Sequence, residues 1–356
     1  MPATATEERA EALRMIRDSA AVVVPPDGGL GRVRGLRFTL PGIDPAVWRS
    51  MGAMGWIGLR LPEEAGGAGL GMAEACALLE ELGRALVPEP LVAGALSARL
   101  LAAGGDTALL PALLAGESLV LTAWQQSADS LEAPGDREGA RLFIPMAAAA
   151  QAFLLPVREG GALALYAVEG VRPETRRTQD GGHVGSLLPD LAAARRVAPN
   201  VGEAMALALD EAALGTAAYL LGLMERCFAM TLDYLRQRQQ FGKPLGSFQA
   251  LQHRAADLKI QLVLTRASVE GAAAELDAGA TGDARRALVS RAKARAAEAA
   301  MRVTREAVQL HGAIGYTDEY DIGLFLRKAM VIANAFGSAA LHRARYMRCA
   351  SHPGAA

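Results

Sequence analysis

Lysine, cysteine and long apolar runs are all scarce in this chain, and the last two scarcities close off classes of function. Four lysines, Lys243, Lys259, Lys293 and Lys328, stand among 37 basic residues, and the remainder are arginine. That bias accompanies an alanine-rich composition and carries no functional argument. The charge balance does carry one: 38 acidic residues bring the formal charge to −1, which removes the broad positive field of a nucleic-acid binder. Cys76, Cys227 and Cys349 are odd in number, widely spaced and without a C-x-x-C pair, so neither a disulfide framework nor a metal site is expected. No apolar run reaches the roughly 18 residues of a spanning helix, and Glu7-Glu8 stand where a signal peptide would be basic. The expected setting is a reducing cytoplasm, with no membrane and no nucleic acid among the partners.

What the chain does have is length and a pattern that changes twice. Its 356 residues exceed one ordinary core and suit two or three domains. From Glu7 to Leu114 the sequence reads as short helices between Gly and Pro; Ala75, Leu78, Leu79, Leu82 and Leu86 mark one helix from Ala73 to Leu86 by their spacing of three and four. Between residues 116 and 201 the runs shorten to strand length: 118–124, 141–144, 152–157 and 162–168, bounded by Gly, Pro and Asp. After Gly202 the pattern predicts helices over 203–239, 246–278, 283–312 and 318–349, the third capped by Asp283. In the second, Phe248, Leu251, Ala255, Leu258, Leu262 and Val269 form one apolar stripe. Helices of about 30 residues are about 45 Å long, the dimensions of a long four-helix bundle. The expected class is α+β multidomain: an N-terminal helical domain (1–115), a small central β domain (116–202) and a C-terminal long four-helix bundle (203–356).

Three segments stand out. Arg238-Gln239-Gln240-Phe241-Gly242-Lys243-Pro244 precedes Phe248-Gln249; Gln309-Leu310-His311-Gly312-Ala313-Ile314-Gly315 follows two helices later; and Pro62-Glu63-Glu64-Ala65-Gly66-Gly67-Ala68-Gly69 lies in the N-terminal part. The glycines of the last segment do not make a nucleotide loop, since no βαβ unit surrounds them and no G-K-[ST] follows. A guanidinium such as Arg238 offers a fork of donors matched to phosphate oxygens, although a solvated arginine at a helix end has the same local pattern. Gly312 and Gly315 would let backbone N–H groups approach a phosphate, or would simply form a turn. His311 reads as a cap or packing residue.

Together the three segments resemble the signatures of the acyl-CoA dehydrogenase flavoprotein family, and the order helical domain, β domain, bundle is that family's order. The resemblance implies FAD as cofactor, an acyl-CoA substrate, removal of its α proton and β hydride, an electron acceptor, and an oligomer of two or four subunits. It assigns Arg238, Phe241, Gln249, Gln309, Gly312, Ala313 and Ser338 to cofactor binding, with Arg238 and Gln249 reaching an FAD held mainly by a neighbouring subunit. Ala313 departs from the family, which has a second glycine there. In the β domain, Thr122 and Trp124 stand where the family contacts the flavin, and Trp124 is equally suited to an interface core; Pro145 replaces a hydroxyl residue.

The catalytic base is the main departure. Most of the family has Tyr-Glu-Gly-Thr where this chain has Ala335-Phe336-Gly337-Ser338, and Phe336 cannot accept a proton. Other members place the glutamate on the first bundle helix, which makes Glu211 the candidate base, although ungapped matching puts Ala212 at that position; the other reading of Glu211 is a solvated acid near a helix start. Three functions follow: a dehydrogenase acting as a homo-oligomer or as one subunit of an α2β2 complex with a glutamate-bearing homologue, as in members acting on steroid CoA thioesters; a base-less partner completing that homologue's FAD site; or a flavin oxidase or monooxygenase on the same scaffold.

Overall fold

A computed structural model describes residues 5–26, 28–135 and 137–350. Its helices begin with α1 (Ala5–Ser19), α2 (Gly31–Leu36), α3 (Pro45–Ala53), α4 (Met72–Arg84), α5 (Leu91–Ala103) and α6 (Leu110–Leu114). Seven strands follow: β1 (Val120–Thr122), β2 (Arg141–Pro145), β3 (Ala152–Glu159), β4 (Ala162–Glu169), β5 (Glu174–Arg177), β6 (His183–Leu187) and β7 (Arg195–Ala198). The rest is α7 (Gly202–Gln237), the hairpin β8 (Gln239–Gln240) and β9 (Lys243–Pro244), then α8 (Gln249–Asp277), α9 (Gly282–His311), α10 (Ile322–Ile332) and α11 (Ala339–Ala350). The chain forms two compact units: Gly31–Ala75 with Pro88–Ala213, and Met1–Leu30 with Cys76–Val87 and Leu214–Ala356.

In the first of these, β1, β3, β4 and β7 make one sheet and β2, β6 and β5 a second. β1 runs parallel to β3, with Leu121 opposite Phe153. The near-continuous burial of β1, β3 and β4, including Leu154, Leu155, Ala164 and Leu165 at 0% exposure, explains why these read as apolar runs rather than alternations. β5 and β7 leave no apolar pattern because Glu174, Arg176, Arg177, Arg195 and Arg196 are exposed, and charged strands carry no periodic apolar signal; β6 does alternate in burial, but two of its three buried positions are His183 and Gly185 rather than apolar side chains.

The other unit is helical. α4 meets α7 backbone to backbone: a Cβ on Gly83 would lie 2.0 Å from Tyr219 O, and one on Gly222 1.8 Å from Glu80 O. α7 contains a window of mean hydropathy 1.3, but 78% of it is buried, so its apolarity lines the core. α9 packs against α8, α10 and α11 and buries Ala292, Ala296, Ala297, Ala299, Ala300 and Ala307 among others. Two expectations need correction here. The predicted helix over 318–349 is two helices, α10 and α11, separated at 333–338, where Phe336 (φ 53°) and Gly337 (φ 97°) enter the left-handed region. The cap of α9 is Thr281, and Asp283 lies in its first turn.

An ion-pair network holds α1 and α8 to this core. Arg17 reaches Glu80 (2.9 Å) and Glu81 (2.8 Å), and Arg266 reaches Glu80, Glu225 and Glu270. Burial alone would raise the pKa of Glu80, but hydrogen bonds from Arg266 and Arg17 outweigh it and hold the carboxyl below its ordinary value. A carboxyl lowered in the folded state contributes stability that is complete above its unfolded pKa, about 4.3, and is lost as pH falls through the folded value. The thermal midpoint should therefore drop as pH is lowered below about 4.3, and Glu80→Gln should lower the midpoint at neutral pH while flattening part of that acid dependence.

Candidate functional site

The turn from α7 to α8 is built to display side chains. Arg238 N–H makes the last bond of α7, to Tyr234 O, and Arg238 O accepts from Leu245 N–H, both at 2.8 Å, which closes the β8–β9 hairpin. Its two central residues, Phe241 (φ 55°) and Gly242 (φ 79°), are both left-handed, as a type I′ turn requires. Glycine suits that conformation; phenylalanine does not, and Phe241 is also 87% exposed. A strained, exposed aromatic points to a role outside its own core. Phe248 stands edge-on to Phe241 at 6.2 Å, with Lys243 Nζ 4.3 Å above the Phe248 ring. Arg238 and Gln249 are exposed, and Arg238 has no ion-pair partner among the described residues.

The end of α9 lies beside this turn. Tyr234, one helical turn before Arg238, stacks on His311 with ring centroids 4.4 Å apart, and its hydroxyl donates to His311 O at 3.2 Å. His311 is buried, Nδ1 donates to Ala307 O at 2.7 Å, and burial pushes its pKa down; it is a packing residue, as expected. Gln309, Gly312 and Ala313 are exposed next to it, so the Ala313 methyl adds bulk to an open surface rather than to the core. Gly315 is buried, and a Cβ there would lie 2.7 Å from Val308 O. The structure thus brings Arg238, Phe241, Gln249, Gln309, Gly312 and Ala313 to one end of the helical unit. An exposed guanidinium beside open glycine-containing backbone and two glutamines fits the phosphates and polar edges of FAD.

Ser338 is not part of that group. It follows the break between α10 and α11 and caps α11, accepting from Leu341 N–H at 3.2 Å. The break is fastened to Lys293, 18 residues before His311 on α9, a separation of about 27 Å along the helix. Lys293 is fully buried and donates to Ala333 O (2.7 Å) and Gly337 O (2.8 Å). Sequence reasoning passed over Lys293; a lone lysine in an alanine-rich, otherwise buried helix face was the available signal.

In the sheet-containing unit, Thr122 and Trp124 are both buried, and the Thr122 hydroxyl pairs with Ser97 Oγ at 2.9 Å. Glu211 is not a solvated acid. Arg60 Nε (3.0 Å) and Nη2 (2.8 Å) reach its Oε1, while Arg99 binds Oε2 through Nε (2.7 Å) and Oε1 through Nη2 (3.0 Å). Both oxygens of a carboxylate 13% exposed are therefore engaged by guanidinium groups. The triad ties the 58–71 loop to α5 and α7.

These findings agree with comparison to known proteins. The chain matches the acyl-CoA dehydrogenase N-terminal domain over residues 6–117 and the acyl-CoA dehydrogenase C-terminal domain over residues 202–350. It is 33% identical over 340 residues to acyl-CoA dehydrogenase IpdE2 of Mycolicibacterium smegmatis, covering 93% of this chain and 95% of that protein. Among solved structures, a variant of the Tcur3481–Tcur3483 steroid ACAD is 30% identical with a TM-score of 0.85, covering 96% of this chain and 98% of that one. The ChsE4–ChsE5 complex from Mycobacterium tuberculosis is 26% identical with a TM-score of 0.83, over 100% of both chains. The chain belongs to the acyl-CoA dehydrogenase family, flavin oxidoreductases of lipid metabolism whose cofactor is FAD.

Removing the charge of Glu211 leaves two guanidinium groups facing one another. Glu211→Gln should lower unfolding stability by about 2 kcal/mol, the scale of lost hydrogen bonds to a charged group, measurable as a shift in urea midpoint.

Proposed function

We propose that the chain is one subunit of a mixed α2β2 acyl-CoA dehydrogenase, in which a homologous subunit carries the catalytic glutamate. The carrying observation is the pair of missing bases: Phe336 occupies a firmly held turn with no carboxylate, and Glu211 has both oxygens committed to Arg60 and Arg99. The division into parts at 115 and 202 and a cytoplasmic setting belong to the same reading, as does an external electron acceptor.

In this proposal Arg238, Phe241, Gln249, Gln309, Gly312 and Ala313 bind FAD at one end of the bundle; Ser338, elsewhere in the helical unit, and Thr122 and Trp124, in the sheet-containing unit, are each read as further cofactor contacts. Ser338 and the Arg238 group are far apart along the bundle, and in this reading Arg238 and Gln249 reach an FAD held mainly by a neighbouring subunit. Bound FAD supplies the acceptor for the β hydride. This chain's contribution is to hold the cofactor's phosphates with Arg238, to cover it with Phe241, and to exclude water at Phe336; the α proton goes to the partner's carboxylate.

A second feature supports an oligomer. α8 buries Leu258, Leu262, Thr265 and Val269 on one side, yet Ile260, Val263 and Leu264 on the same helix are 53%, 53% and 49% exposed. An apolar face of this kind marks a protein contact. The Tcur3481–Tcur3483 steroid ACAD and the ChsE4–ChsE5 complex each pair two differently named chains, which supports a homologous partner over a second copy. The self-sufficient homo-oligomer, with Glu211 as base, is the competing reading.

Arg238→Ala tests the cofactor assignment. Loss of one charge-assisted contact should weaken FAD binding roughly 10- to 100-fold, seen as flavin lost on dialysis of the purified complex; stoichiometric FAD in the variant would contradict the assignment.

A further inference from the structure

The turn at 333–338 is held by more than its own sequence. Three of its carbonyls, those of Ala333, Phe336 and Gly337, accept hydrogen bonds from buried side chains. Lys293 Nζ takes the first and third at 2.7 and 2.8 Å, and His342 Nε2 takes the second at 2.8 Å. A carbonyl cannot donate, so Nε2 carries the proton; Nδ1 lies 3.3 Å from Ser290 Oγ, which is placed to donate to it. Lys293, His342 and Ser290 are all 0% exposed. A Cβ on Gly337 would lie 2.8 Å from His342 Nε2, so the imidazole and the turn are fitted to one another.

This arrangement is costly unless it serves a purpose. A buried ammonium requires full hydrogen bonding, and a leucine or methionine at 293 would suit the alanine-rich interior of α9 at no such cost. The carbonyls after α10 would ordinarily be satisfied by water or by continuing the helix. Here α9 and α11 supply donors that keep the chain out of the helix and hold Phe336 in a left-handed conformation that phenylalanine disfavours. The held carbonyls bracket residue 336 and end immediately before Ser338, whose hydroxyl is fixed in turn as the cap of α11.

We propose that Lys293 and His342 are positioning residues: they clamp the 333–338 turn so that Phe336 and Ser338 stand at fixed places in a cofactor and substrate site, independently of whether residue 336 carries a base. The assignment of the turn to that site rests on the function proposed above; the clamping of the backbone does not.

The test is amide hydrogen exchange on the full protein in its native complex, combined with FAD affinity from quenching of flavin fluorescence. Lys293→Met and His342→Leu remove the donors, while His342→Gln keeps one. Exchange in the 333–342 segment should rise about tenfold or more in the first two and stay within about threefold in the third, with α8 and α9 unchanged. FAD affinity should weaken about tenfold in the first two only. Unchanged exchange in the turn, or a uniform rise throughout α8 to α11, would overturn the clamp. Local loosening with unaltered FAD affinity would overturn the positioning role. Should Lys293→Met fail to fold, the contrast between His342→Leu and His342→Gln decides the same point. Arg238→Ala, run in parallel, should lose FAD without altering exchange at 333–342; if it retains FAD, the cofactor reading fails while the clamp still stands or falls on exchange alone.

Discussion

The C-terminal unit is organised around one alanine-rich helix, α9, which packs against α8, α10 and α11. Small side chains let these neighbours approach closely, and the face they cover leaves a charged group no route to solvent, whereas Arg291, Glu298 and Arg302 on the open face are exposed. Lys293 sits inside that enclosure. Its ammonium must be satisfied within the protein, and the acceptors it finds are backbone carbonyls that a continuous final helix would have used for itself. Lys293, together with His342, fastens the left-handed turn that divides the last helical segment into α10 and α11.

The chemistry follows from what that turn carries. A scaffold able to hold a carboxylate at residue 336 holds a phenylalanine instead, and the nearest sequence alternative, Glu211, is consumed by Arg60 and Arg99. The proposed cofactor surface is better kept, the departures at Ala313 and Pro145 apart: the hairpin has a two-residue turn with both residues left-handed, Phe241 is exposed in a conformation unfavourable to it, and the Tyr234–His311 stack fixes the hairpin beside the glycine turn of α9. A chain with the proposed cofactor surface and no available base is suited to share its work with a subunit that has one.

Much of this was legible in the sequence, and what was not has identifiable physical causes. The long helices α7, α8 and α9 were readable from apolar spacing because each buries a stripe of residues, and the buried strands β1, β3 and β4 from their apolar runs. The break at 333–338 was invisible because Ala333 to Phe336 are residues a helix tolerates; the helix is interrupted by Lys293 and His342, which lie 40 and 6 residues away in sequence from the carbonyls they hold. Arg238, Phe241 and Gln309 were found through motif resemblance, whereas the Arg60–Glu211–Arg99 triad joins residues 151 and 112 positions apart and carries no local pattern. The exposed face of α8 was missed for a different reason: its apolar residues on both sides read as one core helix, and only burial distinguishes the covered side from the open one.

In the proposed division of labour this chain lacks its own base and works with a partner. The most direct test is an anaerobic visible spectrum of the purified chain, alone and assembled with a glutamate-bearing homologue, before and after addition of straight-chain, branched and steroid-side-chain acyl-CoAs. The account predicts that the bound flavin bleaches only in the assembled pair. Bleaching by the chain alone would contradict it and return Glu211 to the role of base.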